Sequence, residues 1–298
     1  MKIRGRFQGV NPIIPLYLLV GFLAVAIPLR TYQLLFITES DTGFYKSVNW
    51  TVYALYLLSA FAVVVPYVVV NLAKSVPSSK NPPSRKNKFL AVTSLLFGLG
   101  IILDVISTFA RIFLDRSAVA FAERENILPF LIEAVCGLFS AIYMIIFGIS
   151  FLDGKTTYSQ YKFLALSPLA WSIGRVIIRF LTRISYVNIA DLLFELLAIA
   201  FMMIFFLALA RISSGLANKT SMRSLFASGF ASVFFCLLAN IPRFIVTIIG
   251  SGNVIPDAYP ISLCDLFFAF FAVAYIVNAM VYAKENDCKE LEADNIKE

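Results

Sequence analysis

The stretch that decides the fold is residues 187–211, VNIADLLFELLAIAFMMIFFLALAR. It is 25 residues of nearly continuous apolar sequence, long enough to cross about 30 Å of hydrocarbon as a helix. It does not alternate, which argues against a transmembrane β-strand. Only a helix satisfies its own backbone hydrogen bonds in lipid. Yet Asp191 and Glu195 sit inside its first three turns. A carboxylate in hydrocarbon costs several kcal/mol unless it is paired or hydrated.

Seven further stretches read the same way. The spans fall at about 13–37, 48–73, 89–114, 128–152, 162–184, 187–211, 225–250 and 259–283. The expectation is an all-α integral membrane protein of eight transmembrane helices in one domain, 1–298. Composition agrees, since 60% of the 298 residues are hydrophobic, against 45–50% in soluble domains. No polar loop is long enough to form a soluble domain, so any chemistry lies in the membrane or at its rim.

Lys and Arg set the orientation. They gather at the N-terminus (Lys2, Arg4, Arg6) and after the second span (Lys74, Lys80, Arg85, Lys86, Lys88). Lys155 and Lys162 follow the fourth span, and Arg211, Lys219 and Arg223 flank the end of the sixth. The four intervening loops are poor in such charges. All basic loops fall on one side, which predicts a multi-pass cell-membrane protein with both termini cytoplasmic. The Pro- and Ser-rich linker 74–88 is expected to be flexible and to rest on anionic lipid headgroups. The tail 284–298 carries both signs and is read as a solvated helix end or a disordered segment. Cleavage after Ala24-Val25-Ala26 is not expected, because the apolar run continues to Ile37. The Asn49-Trp50-Thr51 sequon lies too close to the bilayer to be read as a glycosylation site.

The charges inside the spans form a pattern. Four odd-numbered spans carry an Arg: Arg30, Arg111, Arg175 and Arg243. Three of the spans that follow carry an acid near their start: Glu133, Glu195 and Asp265. The Arg-to-acid offsets are 22, 20 and 22 residues. This near-constant spacing predicts four similar helical hairpins, at about 13–73, 89–152, 162–211 and 225–283, with Arg and acid meeting inside each. The first hairpin departs, with Asn49 and Thr51 where the acid would be. Arg30 therefore looks uncompensated, and an anionic solute or headgroup could complete it. Arg179 and Asp191 could pair across the short loop of the third hairpin, and Asp104 is expected near mid-bilayer. Five Arg and five acids make the layer neutral as a whole.

Two functions follow. One is a transporter or ligand-binding protein for a small anionic or zwitterionic solute, through an outward-facing cavity. Arg30, Arg111, Arg175, Arg179 and Arg243 would contact the ligand. Asp104, Glu133, Asp191, Glu195 and Asp265 would be their charge partners, and Asp104 or Glu195 could couple to protons. Arg suits this work because its planar fork clasps carboxylate or phosphate. The other is a non-transporting scaffold or accessory subunit whose ion pairs only hold helices, or a partner, together. The most useful discriminating observation is whether the Arg side chains converge on a solvated pocket or pair off in separate hairpins.

An enzyme is not favoured. There is no His, so the commonest metal ligand is missing and no metal or cofactor is expected. The four Cys have no CxxC spacing; Cys136, Cys236 and Cys264 read as small packing residues, and juxtamembrane Cys288 could be palmitoylated. Gly98-Leu99-Gly100 with Asp104 misplaces, by three residues, the Asp of the Gly-x-Gly-Asp motif of intramembrane aspartyl proteases, and has no Tyr-Asp partner. No nucleic-acid partner is expected. Trp50 and Tyr45 read as an interfacial aromatic belt.

Overall fold

The structure is a computed structural model. It describes residues 14–39, 45–47, 49–72, 86–114, 127–181, 189–216, 219–250 and 261–295. The N-terminal basic residues 2–6 and most of the 74–88 linker lie outside the described residues. So do the side chains of Arg111, Lys219 and residues beyond 280.

Among the described residues there are eight long helices and no strand. They are α1 (Ile14–Tyr32, continued by a π-turn Gln33–Ile37), α2 (Trp50–Leu72), α3 (Lys88–Leu114) and α4 (Leu128–Asp153), followed by α5 (Ser167–Leu181), α6 (Ile189–Ser213), α7 (Lys219–Ile248) and α8 (Leu263–Asn295). Each is long and apolar enough to span a bilayer, α5 together with the 3-10 turn Leu164–Leu166 that leads into it. The spans read from sequence match to within a few residues, α5 and α8 starting five and four residues later than expected, and two helices extend beyond the expected runs. α7 begins six residues earlier than expected, and α8 runs on to Asn295 through the mixed-charge tail. In both places the added residues are polar. The apolar run marks where hydrocarbon ends, whereas a helix continues past it wherever water can hydrate its outer face.

Helix ends follow local chemistry. α4 stops at Gly154, whose φ of +74° suits a residue without a Cβ. There the amides of Gly154 and Lys155 both donate to the Ser150 carbonyl.

α7 is the central helix. It packs against α1, α2, α6 and α8, while α3 packs on α4 and α8. Its sequence explains the place: Ser228, Gly229, Ala231 and Ser232 keep its surface small, so neighbours approach closely. An added Cβ at Gly229 would sit 2.8 Å from the Ile276 side chain on α8. α1 and α2 are among the least enclosed spans and expose Tyr17, Val20, Tyr53 and Leu57, as lipid-facing surfaces do. Between α3, α4, α6 and α8 lies an aromatic core. Phe97 stacks on Phe206 and Phe271, with ring centroids 6.0 and 5.8 Å away, and Phe147 meets Phe271 edge-on at 5.7 Å. Offset and edge-on ring pairs contribute roughly 0.5–1.5 kcal/mol each beyond area burial.

Candidate functional site

Seven of the ten charged residues singled out above are buried or nearly so. Arg30 and Arg243 are each 1% exposed, and Asp191, Glu133, Glu195 and Asp265 are also buried. Arg175 has a side chain 10% exposed.

The α6 acids are the hub. Asp191 and Glu195 are one turn apart and so share a helix face. Asp191 accepts a hydrogen bond from Nη2 of Arg30 on α1 and lies 3.6 Å from Nη2 of Arg243 on α7. Glu195 accepts from Nη1 of Arg243 at 2.6 Å and lies 2.9 Å from Nη2 of Arg179 on α5. The result is one chain, Arg30–Asp191–Arg243–Glu195–Arg179, tying α1, α5, α6 and α7. Its α5 end is the open one, because the Arg179 side chain is 30% exposed.

Beside this chain, Arg175 grips Asp265 on α8 in a bidentate clasp, with Nη1–Oδ1 2.6 Å and Nη2–Oδ2 3.1 Å. Its guanidinium carbon also lies 5.0 Å from the centroid of the buried Trp171 ring, a cation–π contact. Glu133 packs close to Gly174, where an added Cβ would meet its Cβ and Cγ at 3.2 Å. Glu133 and Asp104 both lie within electrostatic reach of Arg175.

The pairing differs from the one expected inside each hairpin. Arg243 meets Glu195 and Asp191 rather than Asp265, and Asp265 meets Arg175. Arg179 meets Glu195, not Asp191. Arg30 is not uncompensated, because Asp191 on α6 neutralises it. The reason is packing: α7 lies against both α1 and α6, so the acids of α6 are shared by Arg243 on the next helix and by Arg30, 161 residues away in sequence. Arg111 lies on α3 with its side chain outside the described residues, so its expected contact with Glu133 is outside them too. Against the discriminating question, five of the charged groups converge on one cluster rather than pairing off hairpin by hairpin. They do so in a buried setting.

Two supporting groups carried weaker sequence signals. Gln33, fully buried, accepts from Arg30 Nη1 at 3.2 Å and donates to the Thr51 carbonyl at 2.8 Å. It lies three residues after Arg30, a helical same-face spacing that marks it in retrospect. The Tyr45 hydroxyl accepts from Arg30 Nη1 at 2.8 Å. Tyr45 is therefore turned onto the charged cluster as well as lying near the span end, whereas Trp50 is exposed as a belt residue is. The π-turn at Gln33–Ile37 begins three residues after Arg30, and such turns recur at functional sites.

The fold and the site together define a polytopic helical membrane protein with buried ion pairs. No family model, curated protein or solved structure matches the chain.

Proposed function

We propose that this is a membrane transport or ligand-binding protein that takes a small anionic or zwitterionic solute at the α6-centred cluster. The observation that supports it is the sharing of partners. Arg243 reaches two acids, Asp191 is reached by two Arg, and so is Glu195. In such a chain a guanidinium can release one carboxylate while a second still holds it. An incoming carboxylate or phosphate offers Arg the same acceptor geometry. Exchange then costs far less than breaking an isolated buried pair, which strands a charge at about 3–5 kcal/mol. The solute enters past Arg179, the most exposed member. Arg30, Arg175 and Arg243 hold it, and the acids orient them. The four-hairpin repeat, the cytoplasmic termini and the outward placement of the cluster belong to the same proposal.

One observation favours the scaffold reading instead: Arg30, Asp191 and Arg243 already close on one another at side-chain exposures of 1–3%. Proteoliposomes separate the two. Uptake is measured over a panel of monocarboxylates, amino acids and phosphate monoesters. Transport predicts saturable uptake of at least one class, with at least a tenfold loss in Arg30→Gln and Arg243→Gln variants that remain monodisperse. If both variants transport as the parent does, the cluster is no solute site. No uptake of any class, together with one stoichiometric co-purifying partner, establishes the scaffold.

A further inference from the structure

A second feature lies away from the ion-pair cluster, at the end where α2 finishes and α7 begins. A groove of about 300 Å³ opens between α2, α6 and α7. Its two ends differ in chemistry. Toward the middle of the spans it is walled by Val63, Phe201, Ile204 and Ala227. Toward the helix ends it is lined by Asn71, Thr220, Arg223 and Ser224.

The gradient follows from chain direction. α2 and α6 run toward this end and α7 runs away from it, so Asn71 meets the first turns of α7 while Val63 meets Ala227, two turns in. Among the described residues Arg223 is the only charged side chain on the lining. It is half-buried, and its Nε is shut off from solvent without a hydrogen-bond acceptor among the described residues. Among the described residues no Asp or Glu lines the groove, so its cation meets no carboxylate there.

We propose that this groove is a binding site for one anionic phospholipid. The phosphate sits at Arg223, with hydroxyl and amide donors from Thr220, Ser224 and Asn71 beside it. One acyl chain lies along Val63, Phe201 and Ile204. Guanidinium and phosphate match in charge and in bidentate geometry, and basic pockets between spanning helices are suited to lipid headgroups. The wall behind the acyl chain is apolar, so a free anion gains nothing from half of the site. The positive-inside reading places this end at the cytoplasmic leaflet, where anionic lipids gather. The inference stands independently of solute transport.

The full chain, delipidated in detergent, is reconstituted into nanodiscs of phosphatidylcholine with 10% of a headgroup-neutral or phosphatidylglycerol tracer. Retained tracer per protein is then counted by native mass spectrometry after release. The site predicts one retained phosphatidylglycerol, preferred about fivefold or more over phosphatidylcholine, the ratio a single Arg supplies near an anionic surface. Arg223→Gln removes that preference. Ala227→Phe, which fills the apolar end and leaves Arg223 in place, abolishes retention. Inorganic phosphate at 10 mM does not displace the lipid; displacement would make the site one for free anions and overturn the proposal. Thr220→Glu, an exposed change at the mouth, repeats the Arg223→Gln loss should that variant not fold. Equal retention of the two lipids, or a preference unchanged in the folded variants, also overturns it.

Discussion

Replacing Asp191 with Asn should destabilise the protein by about 3 kcal/mol. Asp191 is buried and joins Arg30 to Arg243. Removing one partner of a buried ion pair costs about 3–5 kcal/mol, because the remaining charge is left uncompensated. The low end applies here. Arg30 keeps the Gln33 side-chain oxygen and the Tyr45 hydroxyl, and Arg243 keeps Glu195 at 2.6 Å. Asn also preserves the shape of the site. A loss of about 3 kcal/mol raises the unfolding constant by roughly two orders of magnitude, since each 1.4 kcal/mol is tenfold. Arg30→Gln in the Asp191→Asn background removes the stranded charge, so the double variant should recover about 2 kcal/mol relative to additivity. The assay is reversible unfolding in mixed micelles, run as a double-mutant cycle. A cost below about 1 kcal/mol for Asp191→Asn, or strict additivity of the pair, would refute the assignment of Asp191 as the joint between α1 and α7.

Two packing predictions follow. Gly148→Leu should separate α3 from α4, because an added Cβ already lies 3.0 Å from the Ala91 carbonyl and 2.9 Å from Leu95 Cγ; overpacking of this kind costs about 1–3 kcal/mol, and an unfolding midpoint within a degree of the parent would contradict it. Tyr143→Phe deletes a buried hydrogen bond to Ser213 Oγ, 2.9 Å long, that links α4 to the end of α6; the expected loss is about 1 kcal/mol by the same unfolding assay, and no loss would show that Ser213 does not rely on it.

The eight spans were legible because apolar run length is a local property and the bilayer sets a fixed length for it. The ends were less legible where polar residues continue a helix, as at Lys219 and beyond residue 283. The charged residues were legible as a set, since a charge inside an apolar run stands out in any window. Their partners were not. Offsets of 20 to 22 residues reflect the length of a helical hairpin, but which helices touch is decided by side-chain packing. The small-residue surface of α7 lets it lie against both α1 and α6, and that carries Arg30 and Arg243 to the acids of α6. Gln33 went unread, and Tyr45 was read only as a belt residue, for a related reason. A neutral polar side chain beside an Arg looks like a span-end residue until the fold turns it inward.

The account rests on ion pairs that cross from one hairpin to another, and a set of charge swaps at Arg175–Asp265 tests this most directly. Arg175→Asp and Asp265→Arg should each abolish monodisperse expression, because each places two like charges where a bidentate clasp stood. The account predicts that the Arg175→Asp/Asp265→Arg double swap restores a folded protein, while Arg243→Asp/Asp265→Arg does not. Rescue by the Arg243 combination and failure of the Arg175 combination would place the pairs inside the hairpins and contradict the account.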